Sequence, residues 1–180
     1  MAKFLKFFGI GLIIMVLTIF NIGLSYLLPY PFNKINILFI VIIIFILWKN
    51  SGTIIWFTFF SHLLLELFST TPFGIILFSS TISVLFTYWL YQEIFTNRSL
   101  LSTVAIGFFA LFFYRLFYML LLILAKSFSL IINIPWQSIF ITFFWEFIFT
   151  LSVLAIIYFI ISKLSRRFNT TIIESGLFKI

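Results

Sequence analysis

Two stretches of this chain, ILFIVIIIFILW (37–48) and FFALFFYRLFYMLLLILA (108–125), carry a single charged residue between them, Arg115. A chain of 180 residues cannot hide apolar runs of that length inside one water-soluble core. Composition points the same way. Hydrophobic residues make up 64% of the sequence and charged residues 8%, against the roughly 25% charged content of soluble domains. The only spanning architecture that satisfies backbone hydrogen bonds in apolar runs of this kind is helical. The expected fold is therefore an all-α polytopic transmembrane helix bundle in contact with the lipid bilayer.

Breaks at PYPFNK, KNSG, STTPFG, FTNRS and KSFSLIINIP contain the Pro, Gly, Asn and Ser residues that punctuate helices. They leave six helical segments near 7–28, 36–48, 53–68, 74–94, 100–125 and 137–162 in a single domain (1–162), with a short tail over 163–180. The second and third are short: thirteen residues at about 1.5 Å each reach only ~20 Å, less than the ~30 Å hydrocarbon thickness. They read either as stubby spans or as a buried hairpin turning at Lys49-Asn50-Ser51-Gly52. Lys3 and Lys6 precede the first segment like a signal peptide. The apolar run is too long for one, and SYLLPYP offers no small-residue cleavage site, so it reads as a retained span.

The net charge of +7 arises from 11 basic and 4 acidic residues. The cations are scattered between apolar runs, which is the pattern of positive-inside topology and not of a nucleic-acid surface. With the N-terminus inside, Lys3, Lys6, Lys49, Arg98, Lys163, Arg166, Arg167 and Lys179 fall on the cytoplasmic side, and Lys34 and Lys126 outside. Both termini are then expected in the cytoplasm. The absence of cysteine excludes disulfides, thiolate metal sites and a cysteine nucleophile. The 29 phenylalanines are expected to face lipid or neighbouring helices.

Four residues are candidates for an ionisable group within the membrane: His62, Glu66, Arg115 and Glu146. A charge near the bilayer centre costs at least about 2.5–3.5 kcal/mol and needs a partner or a polar cavity. Counting from Lys126 and from Pro135 places Arg115 and Glu146 at one depth, ~15 Å below the outer end, on consecutive antiparallel helices. An Arg115–Glu146 pair is expected, with Glu66 within reach of the guanidinium from above. Such a pair either fixes helix register or lines a functional pocket. His62 and Glu66 share a helix face at i and i+4. Without a second histidine, an aspartate or a cysteine, no metal site is expected, and His62 reads as a hydrogen-bonded residue at a helix interface. Ser61 beside His62 lacks a nucleophile elbow, so no catalytic residue and no cofactor are expected.

Ser80, Ser83 and Thr87 form one stripe of the fourth segment, suited to close helix packing. Trp136, Trp145, Tyr30, Tyr88 and Tyr91 are candidate interfacial anchors. Asn97-Arg98-Ser99 and Asn169-Thr170-Thr171 match the glycosylation pattern but fall on the expected cytoplasmic side.

The stretch LLLELFSTTPFGIILFSSTISVLFTYWLYQEIFTNRSLLS (63–102) resembles the central part of the rod-shape-determining protein MreD family. The likeness lies in an apolar helix ending in an acidic residue, a small polar turn, Pro-Phe-Gly, a further span and a short basic turn. Glu66 stands where that pattern has aspartate, Pro72, Phe73 and Gly74 match the turn, and Arg115 stands where a neutral or acidic residue is usual. The order of one span, a short helix pair and three long spans also fits. The resemblance implies a non-enzymatic component of the bacterial inner membrane that serves cell elongation. Its implied partners are an MreC-like scaffold, an MreB-like actin and the peptidoglycan-synthesising enzymes, met through helix faces around Glu66, Pro72, Phe73 and Gly74. The rival reading is a substrate-binding subunit of an energy-coupling factor transporter, a fold resembling that of MreD. It predicts an outer pocket several hundred Å3 in volume lined by Glu66, Arg115 and Glu146. The first span lacks an Ala-x-x-x-Ala docking pattern, since Gly9 and Gly11 are spaced by two.

Overall fold

The computed structural model describes the backbone of residues 2–49, 51–95 and 99–176, and side chains over 9–48, 51–95 and 99–163. All regular structure among them is helical: α1 (Ala2–Leu27), a 3-10 turn (Phe32–Lys34), α2 (Ile37–Lys49), α3 (Thr53–Leu67), α4 (Ile75–Glu93), α5 (Leu100–Ser127) and α6 (Trp136–Gly176). Four are long and apolar enough to cross a membrane: Gly9–Leu27 within α1, α4, α5 and Trp136–Lys163 within α6. Helices α2 to α5 start and end within two residues of the expected segments, α1 starts five residues earlier than expected, and α6 runs fourteen residues past the expected end at 162. The tail begins as a continuation of α6, which runs on to Gly176.

The short helix α2 is the centre of the bundle. It touches each of the other five helices. Its side chains Leu38, Phe39, Ile42, Ile43 and Ile46 are among the most deeply buried in the chain. A helix that is apolar all round belongs in a core or in lipid, and α2 takes most of its cover from neighbouring helices, with Trp48 at its end exposed. It reads as a buried core element of about 20 Å, with α3 as the return limb of a hairpin.

The depth of α2 is set by where it starts. Asn36 precedes its first turn and lies beside Glu146 and Thr150 of α6, through Nδ2 to Glu146 Oε1 at 2.8 Å and backbone N–H to Thr150 Oγ1 at 3.0 Å. Thr150 is fourteen residues into α6, so α2 begins ~21 Å along that helix from its first residue. The connection 28–36 therefore descends into the bundle before α2 starts. Backbone at that depth must be covered by protein and hydrogen-bonded. Asn36 meets the second demand by accepting from Phe39 N–H through Oδ1 at 3.2 Å, an N-cap, while Asn21 Oδ1 of α1 accepts from Ile37 N–H at 3.0 Å.

Around α2, α4 packs most extensively on α5, α3 on α4, and α6 on α5. Close approach is built into two of these contacts. Ser83 Oγ donates across to the Ala110 carbonyl at 2.5 Å, tying α4 to α5. Gly107 of α5 faces Leu151 and Leu154 of α6, and a Cβ placed there would lie 2.6 Å from Leu154 Cδ2. The other hydroxyls of the α4 stripe turn back to carbonyls of their own helix: Ser80 to Leu77 and Thr87 to Ser83. Helix α1 is held by α3, α2 and the 3-10 turn, and among the described residues it meets α6 only through α2 and the 28–36 connection that contains that turn.

Candidate functional site

A buried ion pair lies at the meeting of α2, α5 and α6. Glu146 is 4% exposed, and its two oxygens are divided between partners. Oε2 accepts from Arg115 Nε at 2.7 Å and also from Arg115 Nη2, while Oε1 accepts from Asn36 Nδ2 at 2.8 Å. The guanidinium lies 5.3 Å from the ring centroid of Tyr114 and 5.6 Å from that of Tyr118, within cation–π range. The carboxylate has donors on both oxygens, and the cation is flanked by aromatic faces. The pair links α5 to α6, and Asn36 ties the start of α2 to α6 through Glu146 and Thr150. The depth count that set Arg115 level with Glu146 agrees with this placement. The signal for Asn36 was also present in the sequence, as an Asn directly ahead of the apolar run from Ile37, the usual N-cap pattern.

Glu66 is not part of that network. The expected reach of Arg115 to Glu66 is corrected by the bonds its carboxylate makes: Oε1 accepts from Gly74 N–H at 2.8 Å and Ile76 N–H at 3.0 Å, and Oε2 from Leu77 N–H at 3.3 Å. These donors belong to the N-cap and first turn of α4, which have no partners within their own helix. Gly74 is the N-cap and carries no side chain to satisfy them. The remaining donor of that turn, Ile75 N–H, meets the Pro72 carbonyl at 3.4 Å. The helix N-terminus presents a partial positive charge and converging N–H groups, so it captures the carboxylate in place of the guanidinium. Glu66, 3% exposed, thereby fastens the end of α3 to the start of α4.

The turn between them is shaped by the same residues. Gly74 has φ +101°, the left-handed region that a Cβ disfavours, and Phe78 crowds the position where one would stand. Ser69 and Thr71 share a hydroxyl hydrogen bond of 2.9 Å. Phe73, 69% exposed, projects from the turn, with Phe68 exposed beside it.

His62 lies fully buried one turn before Glu66, with no bond between the two side chains. Its Nδ1 lies 3.0 Å from the Thr58 carbonyl, and its ring meets Phe39 edge-on at 5.5 Å between centroids. Its Nε2 has no hydrogen-bond partner among the described residues. Ser61 Oγ bonds to the Phe57 carbonyl at 2.8 Å, turned along its own helix. Among the described residues no group of three His, Cys, Asp or Glu side chains converges. Of the aromatic residues expected at the interfaces, Tyr91 is instead buried, its hydroxyl donating to the Leu47 carbonyl at 3.4 Å. Tyr30 is exposed, edge-on to Trp145.

A pocket of about 320 Å3 opens at the end of the bundle that carries residues 28–36, lined by Tyr30, Lys34, Gln137, Ser138, Ile141 and Thr142. None of Glu66, Arg115 and Glu146 lines it. The side chains of Lys3, Lys6, Lys49, Arg98, Arg166, Arg167 and Lys179, on which the expected sidedness rests, lie outside the described residues, as does most of both glycosylation-like triplets. No family model, curated protein or solved structure matches the chain.

Proposed function

We propose that this helical membrane protein is a non-enzymatic component of the bacterial cell-elongation machinery, resident in the inner membrane with both termini in the cytoplasm. It acts by docking partner membrane proteins on its helix faces. The observation that carries the reading is the fate of the intramembrane charges. Glu66, Arg115 and Glu146 are each held by internal bonds that set helix positions, and none lines the pocket beside the 3-10 turn. A transporter's binding subunit needs such groups turned toward a ligand cavity, so this arrangement favours the scaffold.

The stretch 63–102, which resembles MreD, supports the same reading. Its Glu66-fastened turn holds Phe73 and Phe68 outward on a rigid base, an apolar surface suited to the transmembrane anchor of an MreC-like partner. Depletion of the protein in its host is expected to round the cells, and normal rods after complete loss contradict the proposal. Phe73→Ser is expected to weaken co-purification with the MreC-like partner at unchanged membrane levels.

A further inference from the structure

The pocket beside the 3-10 turn has a composition unlike the rest of the bundle. Five of its six lining residues, Tyr30, Lys34, Gln137, Ser138 and Thr142, carry polar side-chain groups, and no carboxylate lines it. The side chains of Lys34, Gln137, Ser138 and Thr142 make no hydrogen bond or ion pair among the described residues. Glu146 lies one turn beyond Thr142 on the same face of α6, but its oxygens are already taken by Arg115 and Asn36. Lys34 thus brings an unneutralised cation to a concave site with hydroxyl and amide donors around it.

Such a site selects an anion offering several acceptor oxygens. Phosphate has that chemistry, and lysine serves it as a point charge. The volume is at the lower end of the ~300–1,000 Å3 usual for ligand sites, enough for a headgroup. The surroundings indicate how the phosphate is carried. Phe140, Phe144 and Ile148 repeat at four-residue spacing along α6 from the pocket's level, and all are exposed. That stripe adjoins the polar cup along the side of exposed Ile141 and offers an apolar track for acyl chains, so the phosphate is one carried on a lipid.

We propose that this pocket binds the phosphate headgroup of an anionic phospholipid, held by Lys34, Gln137, Ser138 and Thr142, with its acyl chains on the Phe140–Phe144–Ile148 stripe. The assignment is independent of the cell-elongation reading and needs only the membrane location.

The test uses the full chain purified in micelles doped with equal amounts of phosphatidylglycerol and phosphatidylcholine, with retained lipid counted by native mass spectrometry. Wild type is expected to retain phosphatidylglycerol selectively. Lys34→Gln should lower that occupancy roughly fivefold, since one lysine near an anionic headgroup contributes about 1 kcal/mol. Lys126→Gln removes the same charge from the same end of the bundle but outside the pocket, and should leave selectivity unchanged. Thr142→Val, nearly isosteric, should reduce occupancy and supplies the readout if Lys34→Gln does not fold. Equal retention of the two lipids, or equal losses in Lys34→Gln and Lys126→Gln, overturns the proposal. Inorganic phosphate titrated into protein in phosphatidylcholine nanodiscs is the second arm. Saturable binding as tight as that of phosphatidylglycerol overturns the lipid assignment in favour of a free anion.

Discussion

Removing one charge from the Arg115–Glu146 pair should be far more damaging than removing both. Glu146 is almost fully buried, and in Arg115→Leu it keeps only the Asn36 amide as a donor. If the pair were worth no more than an average interhelical hydrogen bond in lipid, the loss would be about 0.6 kcal/mol. An uncompensated buried charge costs about 3–5 kcal/mol, and the geometry selects the larger figure, because both Arg115 donors converge on one carboxylate oxygen. Glu146→Gln alone strands the guanidinium and should cost a similar amount. The double variant Arg115→Leu with Glu146→Gln removes both charges while Gln retains an acceptor for Asn36. It should recover most of the loss, remaining within about 1–2 kcal/mol of wild type. The assay is reversible unfolding in mixed micelles across the four members of the cycle. Single costs below about 1 kcal/mol that simply add in the double variant would refute the reasoning, since coupled charges cannot be additive.

Three further changes test the helix junctions. Glu66→Ala strands three buried N–H groups at the start of α4 and should cost about 3 kcal/mol or more, read as a lowered unfolding midpoint; Glu66→Gln keeps one acceptor oxygen and should cost less than half of that. Gly74→Ala forces a Cβ into the left-handed region against Phe78 and should destabilise by about 1–2 kcal/mol in the same assay. Gly107→Val drives its side chain into Leu154 and Leu151 and should cost about 3 kcal/mol, because Leu154 is fully enclosed; stability equal to wild type would mean that α5 and α6 are not packed this closely.

The helix order was legible because hydropathy and Pro/Gly punctuation act locally, and the sequence displays both directly. The level of Arg115 with Glu146 followed from residue counting along two uninterrupted helices. Counting left two readings of α2 and α3, stubby spans or a buried hairpin, because length alone does not tell them apart. The bonds of Asn36 to α6 decide for a helix that starts deep in the bundle. Glu66 was misassigned for a related reason. Charge-to-charge reasoning offered Arg115 as the natural partner, whereas three backbone N–H groups eight to eleven residues downstream lie closer. A glycine N-cap that cannot satisfy its own helix, preceded by a turn and a glutamate, is the pattern that would have pointed there. The pocket was illegible because its lining comes from two segments a hundred residues apart.

Helix α2 is a half-length helix that begins inside the bundle, and a cysteine-free chain allows this to be measured directly. Mild oxidation of membranes containing Asn36→Cys with Thr150→Cys is expected to cross-link the pair, since a disulfide requires Cα atoms within about 7 Å. Asn36→Cys with Trp136→Cys, ~21 Å away along α6, should stay reduced. Cross-linking of 36 to 136 and none to 150 would place the start of α2 at the membrane surface and contradict the buried polar centre.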